Sequence, residues 1–160
     1  MAVTIRALDN ADVDKIAEFS VRAWAPVFES FEKVLGAEIY RRVYPDWLDS
    51  QARDVARSCR DHAGTTWVAV DDGEPVGFVT IIFSADGSSA DIEMIAVDPT
   101  RQREGIGTAL MDYSEERMRA SGARIAGVVT GGDPGHEPAR RAYEAAGFTA
   151  LPLVRYYKAL

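Results

Sequence analysis

"IEMIAVDPTRQREGIGTALM", Ile92 to Met111, is the stretch on which the reading of the fold turns. It opens as an apolar run of strand character, Ile92 to Val97, and breaks at Asp98-Pro99. It then passes through Arg101, Gln102 and Arg103 and resumes behind Gly105 as an apolar helical pattern. In a strand-to-helix corner of this kind the first N–H groups of the helix have no internal partner, and the helix dipole adds partial positive charge there. Gly105 and Gly107 permit backbone conformations that side chains forbid and let a bulky phosphate approach those groups. The corner is a natural anion site, although two glycines one residue apart serve equally well in a purely structural turn. A dinucleotide fingerprint needs a third glycine and an early βαβ unit, and a nucleotide P-loop needs Gly-Lys-Ser/Thr; both readings are disfavoured.

Upstream of the corner, "TTWVAVDDGEPVGFVTIIFS" reads as a hairpin turning at Asp71-Asp72-Gly73-Glu74, and "ADGSSAD" leads into "IEMIAVD", giving a three-strand meander. "VTIRAL" is a half-buried strand, and "DNADVDKIAEFSVRAW" a helix capped by Asp9 or Asn10. From Pro26 to about Arg60 the amphipathic pattern predicts one or two helices, broken near Gly36 and Pro45. Downstream, Ile106 to about Ala120 is a helix stopped by Ser121-Gly122, and "RIAGVVT" is a strand. A Gly/Pro loop, "GGDPGHEP", then precedes a short helix carrying Ala139, Ala142, Tyr143 and Ala146 on one face. "FTALPLVRYYKAL" closes the chain as one or two strands. The order predicts an α/β protein with a mixed sheet and helices on its faces, in one domain over residues 1–160.

Apolar residues make up 47% and charged residues 27%, the balance of a globular chain. No apolar run is long enough to span a bilayer and the N-terminus lacks a signal peptide's apolar core, so the expectation is a cytoplasmic protein with no membrane partner. One cysteine excludes an internal disulfide framework, and His62 and His136 offer no metal-ligand spacing, so no metal is expected. A net charge of -7 without a long basic patch argues against nucleic acid. An acidic surface suits cationic substrates such as amines, but it also simply keeps a protein soluble.

"VDPTRQREGIGTAL" resembles the acyl-CoA signature of the GNAT N-acetyltransferase superfamily, with Gln102, Gly105 and Gly107 at the motif positions, and the strand and helix order is similar as well. "ARRAYEAAGF" resembles the family's second motif. The resemblance implies a mostly antiparallel sheet splayed between its fourth and fifth strands and acetyl-CoA as cosubstrate. It gives the backbone of Arg103, Glu104, Gly105, Ile106, Gly107 and Thr108 the CoA pyrophosphate, with Gln102 at the motif's first position. It also implies a bulge in the fourth strand, with the backbone at Ile95 and Val97 turned to the thioester and pantetheine arm. Tyr143 falls where the family's general-acid tyrosine stands. Where many members have an asparagine, this chain has His136, which can replace part of its hydrogen bonding.

Acetyl transfer to an amine needs a base, charge stabilisation on the carbonyl oxygen and a proton for the departing thiolate. Strict strand alternation puts Asp91, Glu93, Ile95 and Val97 on one face, so Glu93 is the first candidate base and Asp91 the second, acting directly or through water. These carboxylates also fit the exposed positions of a half-covered strand. A phenol stays protonated at neutral pH and can donate to a thiolate, which suits Tyr143; its ring also fits an ordinary core position. Trp24, Phe28 and Tyr156 are candidate acceptor contacts, drawn from an aromatic supply that also includes Phe31, Tyr40, Tyr44 and Tyr157. The expected activity is acetylation of a primary amine of a small molecule or peptide by direct attack. Cys59 reads as a buried small hydrophobe and not as a nucleophile. The alternative is a non-catalytic acyl-CoA-binding regulatory module, and the aromatic C-terminal strand makes a homodimer a further expectation.

Overall fold

Asp9 ends the first strand by capping the turn that follows: its carboxylate accepts the Ala11 N–H at 2.9 Å, while its own N–H donates to Asp12 at 2.8 Å. Buried Asp12 in turn holds Arg6 at 2.6 Å, tying the strand to the helix it precedes. The computed structural model describes residues 3–160. Its elements are β1 (Thr4–Ala7), α1 (Val13–Leu35), α2 (Ala37–Val43), α3 (Trp47–Asp61), β2 (Thr66–Asp71), β3 (Glu74–Phe83), β4 (Ser89–Val97), α4 (Ile106–Ala120), β5 (Ile125–Val128) and α5 (Glu137–Ala145). The described residues divide into two compact units, those up to 23 with 51–129, and 24–50 with 130–160.

The first unit contains the five-stranded sheet, in the order β1-β2-β3-β4-β5. The first four strands are antiparallel neighbours, and β5 runs parallel to β4. The β2–β3 hairpin turns at Asp72 and Gly73, both with positive φ, as a two-residue hairpin loop of the primed type requires. Phe78 meets Phe19 of α1 with ring centroids 6.3 Å apart. A Cβ on the preceding Gly77 would stand 3.0 Å from Leu110 and 3.1 Å from Ile106 of α4. Successive residues of a strand point to opposite faces, so α1 and α4 cover opposite sides of the sheet. The core between them is Ile16, Phe19, Val68, Phe78, Ile81 and Leu110, all fully buried. The α4 helix closes with paired bonds from Gly122 to Arg119 and from Ala123 to Met118, both 3.0 Å, which form the expected left-handed stop.

In the second unit an aromatic cluster takes the place of a sheet. Phe28 stacks on Trp47 at 4.4 Å, Phe31 stacks on Tyr44 at 5.2 Å, and Tyr40 joins at 5.8 Å from Tyr44. Gly135 lies so close to α1 that a Cβ there would sit 2.9 Å from the Pro26 carbonyl and from Val27 Cα, and its N–H donates to Ser30 Oγ at 2.9 Å.

Two expectations are corrected. Pro26 does not start a helix: α1 runs through it to Leu35, because a proline removes one hydrogen bond from a 23-residue helix without ending it. Breaks do occur at Gly36 and next to Pro45. The closing strands are also absent among the described residues. Residues 148–160 form no ladder, and Leu151, Leu153, Val154 and Tyr156 lie exposed. Apolar alternation makes a strand only when another strand offers its hydrogen bonds, and Pro152 removes one donor. The homodimer expectation loses the strand on which it stood.

Candidate functional site

The corner follows from where β4 ends. Asp98, one residue past β4, accepts the Thr100 N–H at 3.0 Å and the Thr100 hydroxyl at 2.9 Å, and pairs with Arg22 of α1 at 3.1 Å. Burial alone would raise the Asp98 carboxyl, but the Arg22 guanidinium and the Thr100 donors hold it down at about 2. Arg101 is bound to Asp71 at 2.9 Å and to Glu104 at 2.6 Å, so its charge fastens the corner to the end of β2. Gln102 reaches the Val97 carbonyl at 3.4 Å. Arg103 is exposed, has a φ of 67°, and makes no ion pair among the described residues.

Gly105 caps α4 at φ 82°, a left-handed conformation that favours glycine. Gly107 does not use that freedom. It lies in the first turn, where a Cβ would stand 3.8 Å from Val97. The first helical bond at this end runs from Ala109 N–H to the Gly105 carbonyl at 3.0 Å. Among the described residues, no protein acceptor meets the N–H groups of Arg103 to Thr108. Except for buried Ile106 and half-buried Gly107 these residues are exposed, so the donors face outward where an anion can meet them.

The β4 strand carries the bulge. Thr80 pairs with Met94 while the next residue, Ile81, pairs with Ile92, leaving Glu93 as the extra residue. This corrects the face assignment made from strict alternation. Asp91 pairs with Ile82, whereas Ile95 pairs with Val79 across the slip, so Asp91 does not share a face with Ile95 and Val97. Pairing of β4 with β5 stops at Ile92 and Val128, so the two strands separate from Glu93 onward. Asp98 N–H donates to Val76 of β3 at 2.8 Å; by alternation the N–H groups of Ile95 and Val97 point away from β3, toward the side where β5 has left.

Glu93 faces α3. Its Oε2 accepts the Ser58 hydroxyl at 3.1 Å and lies 3.3 Å from His62 Nε2. These two side chains and Glu93 line a cavity of about 310 Å³ with Asp54, Arg57, Asp61 and Met94. Asp54 is engaged by Arg57. Asp91 is exposed, and its carboxylate stands where a Cβ on its register partner Gly127 would be. Ser58, His62 and the Asp98–Arg22 pair were not singled out from sequence. Ser58 and His62 are four residues apart, which places them on one helical face, but nothing in the chain links that face to a residue 31 positions later.

In the second unit, His136 precedes α5 and its Nδ1 is 2.5 Å from half-buried Asp133, with its ring 5.7 Å from Phe31. Tyr143 is half-buried on α5 beside Phe148 at 5.9 Å, and burial raises its phenol above the ordinary range. Phe28 is buried in the aromatic cluster, Trp24 is half-buried on α1, and Tyr156 is exposed. Burial and a hydrogen bond with Tyr157 push the Tyr44 phenol up to about 12. Among the described residues no group of side chains is arranged to hold a metal ion, and no helix is long and apolar enough to cross a membrane.

The sequence profile of the Acetyltransferase (GNAT) family matches residues 31–148. The chain belongs to that family. Among solved structures, a GNAT-family chain from Desulfovibrio desulfuricans is 25% identical with a TM-score of 0.67, over 99% of this chain and 92% of that one. The splayed mixed sheet is thus the GNAT fold. A GNAT acetyltransferase from Brucella melitensis solved with acetyl-CoA is similar in fold, at 20% identity and a TM-score of 0.59, over 93% of this chain and 84% of that one. Among curated relatives, L-2,4-diaminobutyric acid acetyltransferase of Nocardia farcinica is 38% identical over 93 residues, 54% of this chain and 46% of that protein. The chain spans less than half the length of the curated relatives it matches.

Proposed function

We propose that this GNAT chain is an acetyl-CoA-dependent N-acetyltransferase that acts on a primary amine of a small molecule. The observation that carries the reading is the set of outward N–H groups from Arg103 to Thr108, left without a protein acceptor by the left-handed Gly105 cap. Unpaired amides at a positive helix end are donors suited to a diphosphate. The free edge of β4 beyond Ile92 offers the Ile95 and Val97 amides to the pantetheine arm and the thioester carbonyl. Glu93 is the base. It takes a proton from the acceptor's ammonium, the freed nitrogen attacks the thioester carbon, and the carbon–sulfur bond breaks as the tetrahedral intermediate collapses. Tyr143, its phenol held protonated by burial, donates to the leaving thiolate, and the second proton that the nitrogen sheds on becoming an amide returns the phenolate to the phenol. Cys59 takes no part, since burial pushes its thiol up to about 11. The acidic cavity and the diaminobutyrate acetyltransferase relative favour a cationic, small-molecule acceptor.

Thiol release from acetyl-CoA, followed with a disulfide reagent across L-2,4-diaminobutyrate, spermidine and other primary amines, tests the reading. Turnover with at least one amine is expected, falling about 100-fold or more in Glu93→Gln and to a smaller extent in Tyr143→Phe. Calorimetry should show CoA binding by the wild type. Heat with CoA but no turnover on any amine would instead indicate a binding module.

A further inference from the structure

Glu93 is held from one side only. Ser58 Oγ at 3.1 Å and His62 Nε2 at 3.3 Å converge on the same carboxylate oxygen, Oε2, and no protein donor meets Oε1 among the described residues. The two side chains are themselves fixed. The last turn of α3 continues into His62, whose N–H donates to the Ser58 carbonyl at 3.0 Å, so their side chains lie one turn apart on one face. The His62 carbonyl accepts the Thr66 hydroxyl at 2.8 Å, and Thr66 is bound across the sheet to Thr80 at 2.9 Å, both fully buried. His62 therefore stands on a rigid base beside the bulge, with its ring a third exposed to the cavity.

We propose that His62 is a positioning residue that acts through Glu93: with Ser58 it stands against Oε2 and leaves Oε1 to receive the acceptor's proton. The inference rests on the assignment of Glu93 as the base. An imidazole with its proton on Nε2 sets a donor 3.3 Å from Oε2, close enough that a small turn of the ring aims it at the carboxylate. The other charged groups facing the site are Asp54, Arg57 and Asp61 of α3; Asp54 and Arg57 are engaged with each other, and all three are present in every variant below.

The test compares wild type, His62→Gln and His62→Ala in thiol release with the fastest amine of the panel. His62→Ala should lose about fivefold in kcat/KM at pH 7.5, the loss of one polar contact to the base, and Gln, which keeps a donor of similar reach, should recover part of that loss. An unchanged rate in His62→Ala, or no recovery at all in His62→Gln, overturns the proposal. A second measurement does not depend on turnover: melting temperatures of His62→Ala, Glu93→Ala and the double variant should be non-additive by about 1–2 °C. Additive shifts overturn the pairing, whereas non-additive shifts with no turnover on any amine leave the pair intact and remove the assigned activity.

Discussion

Asp98→Asn separates the electrostatics of the corner from its shape. The Asp98 side chain is 9% exposed and receives Arg22 at 3.1 Å together with two Thr100 donors. Its carboxyl is lowered from 3.8 to about 2, which by the free-energy equivalent of a pKa change is roughly 2–3 kcal/mol. Arg22 is 40% exposed, and solvent screening reduces this to about 2 kcal/mol. Because the folded value lies below the unfolded one, the stabilisation is fully present above about pH 4 and is lost as pH falls through about 2. Asparagine keeps the shape and an acceptor for Thr100 but cannot pair with Arg22. Urea denaturation of both proteins across pH 2–7 should therefore show the variant about 2 kcal/mol weaker at pH 7, or about 4–8 °C lower in Tm, with the gap closing between about pH 4 and pH 2. A gap that is absent at pH 7, or that stays constant across this range, refutes the reasoning.

Gly105→Ala places a side chain at φ 82° with nothing within 4 Å of the new Cβ, so the penalty is conformational, about 1–2 kcal/mol, and the outward amides shift with it. Calorimetry should show weaker CoA binding in this variant; unchanged affinity would mean that the cap does not set the donors. Cys59, whose thiol is pushed by burial to about 11, should react with iodoacetamide at pH 8 at least 100-fold more slowly in the native protein than in urea. Equal rates would show that the thiol is open to solvent.

The parts of the fold that read correctly from sequence are those fixed by neighbours along the chain. The helix from Ile106 to Ala120, its stop at Gly122 and the turn at Asp72-Gly73 depend on local bonds and on residues that tolerate positive φ, so their residue types carry the information. Residues 148–160 have the apolar alternation of a strand but no ladder, because a strand's bonds are supplied by another segment that its own sequence does not specify. The aromatic residues of the second unit were legible as an apolar set, yet the stacking of Phe28 on Trp47 depends on how two helices meet. Asp98 and Arg22 pair across 76 positions, a separation at which a charge in the sequence has no preferred partner.

The bulge at Glu93 decides how far a sequence argument about this site can go. Period-two counting is valid only while each residue of β4 has one partner on β3, and the slip between Thr80 and Ile81 breaks that rule at the residue assigned to the chemistry. The extra residue leaves Asp91 off the face of Ile95, brings Glu93 to Ser58 and His62, and lies where β5 stops pairing with β4. One inserted residue thus coincides with a change of face, an opened strand edge and a carboxylate met by two polar side chains. A regular strand at the same position would keep Asp91 and Glu93 together, but its edge toward β5 would remain available for pairing and its amides for a ladder. The two carboxylates therefore differ in kind: Glu93 is held by two side chains on a rigid turn, while Asp91 lies exposed against Gly127, and that difference in support favours Glu93 over Asp91 as the base.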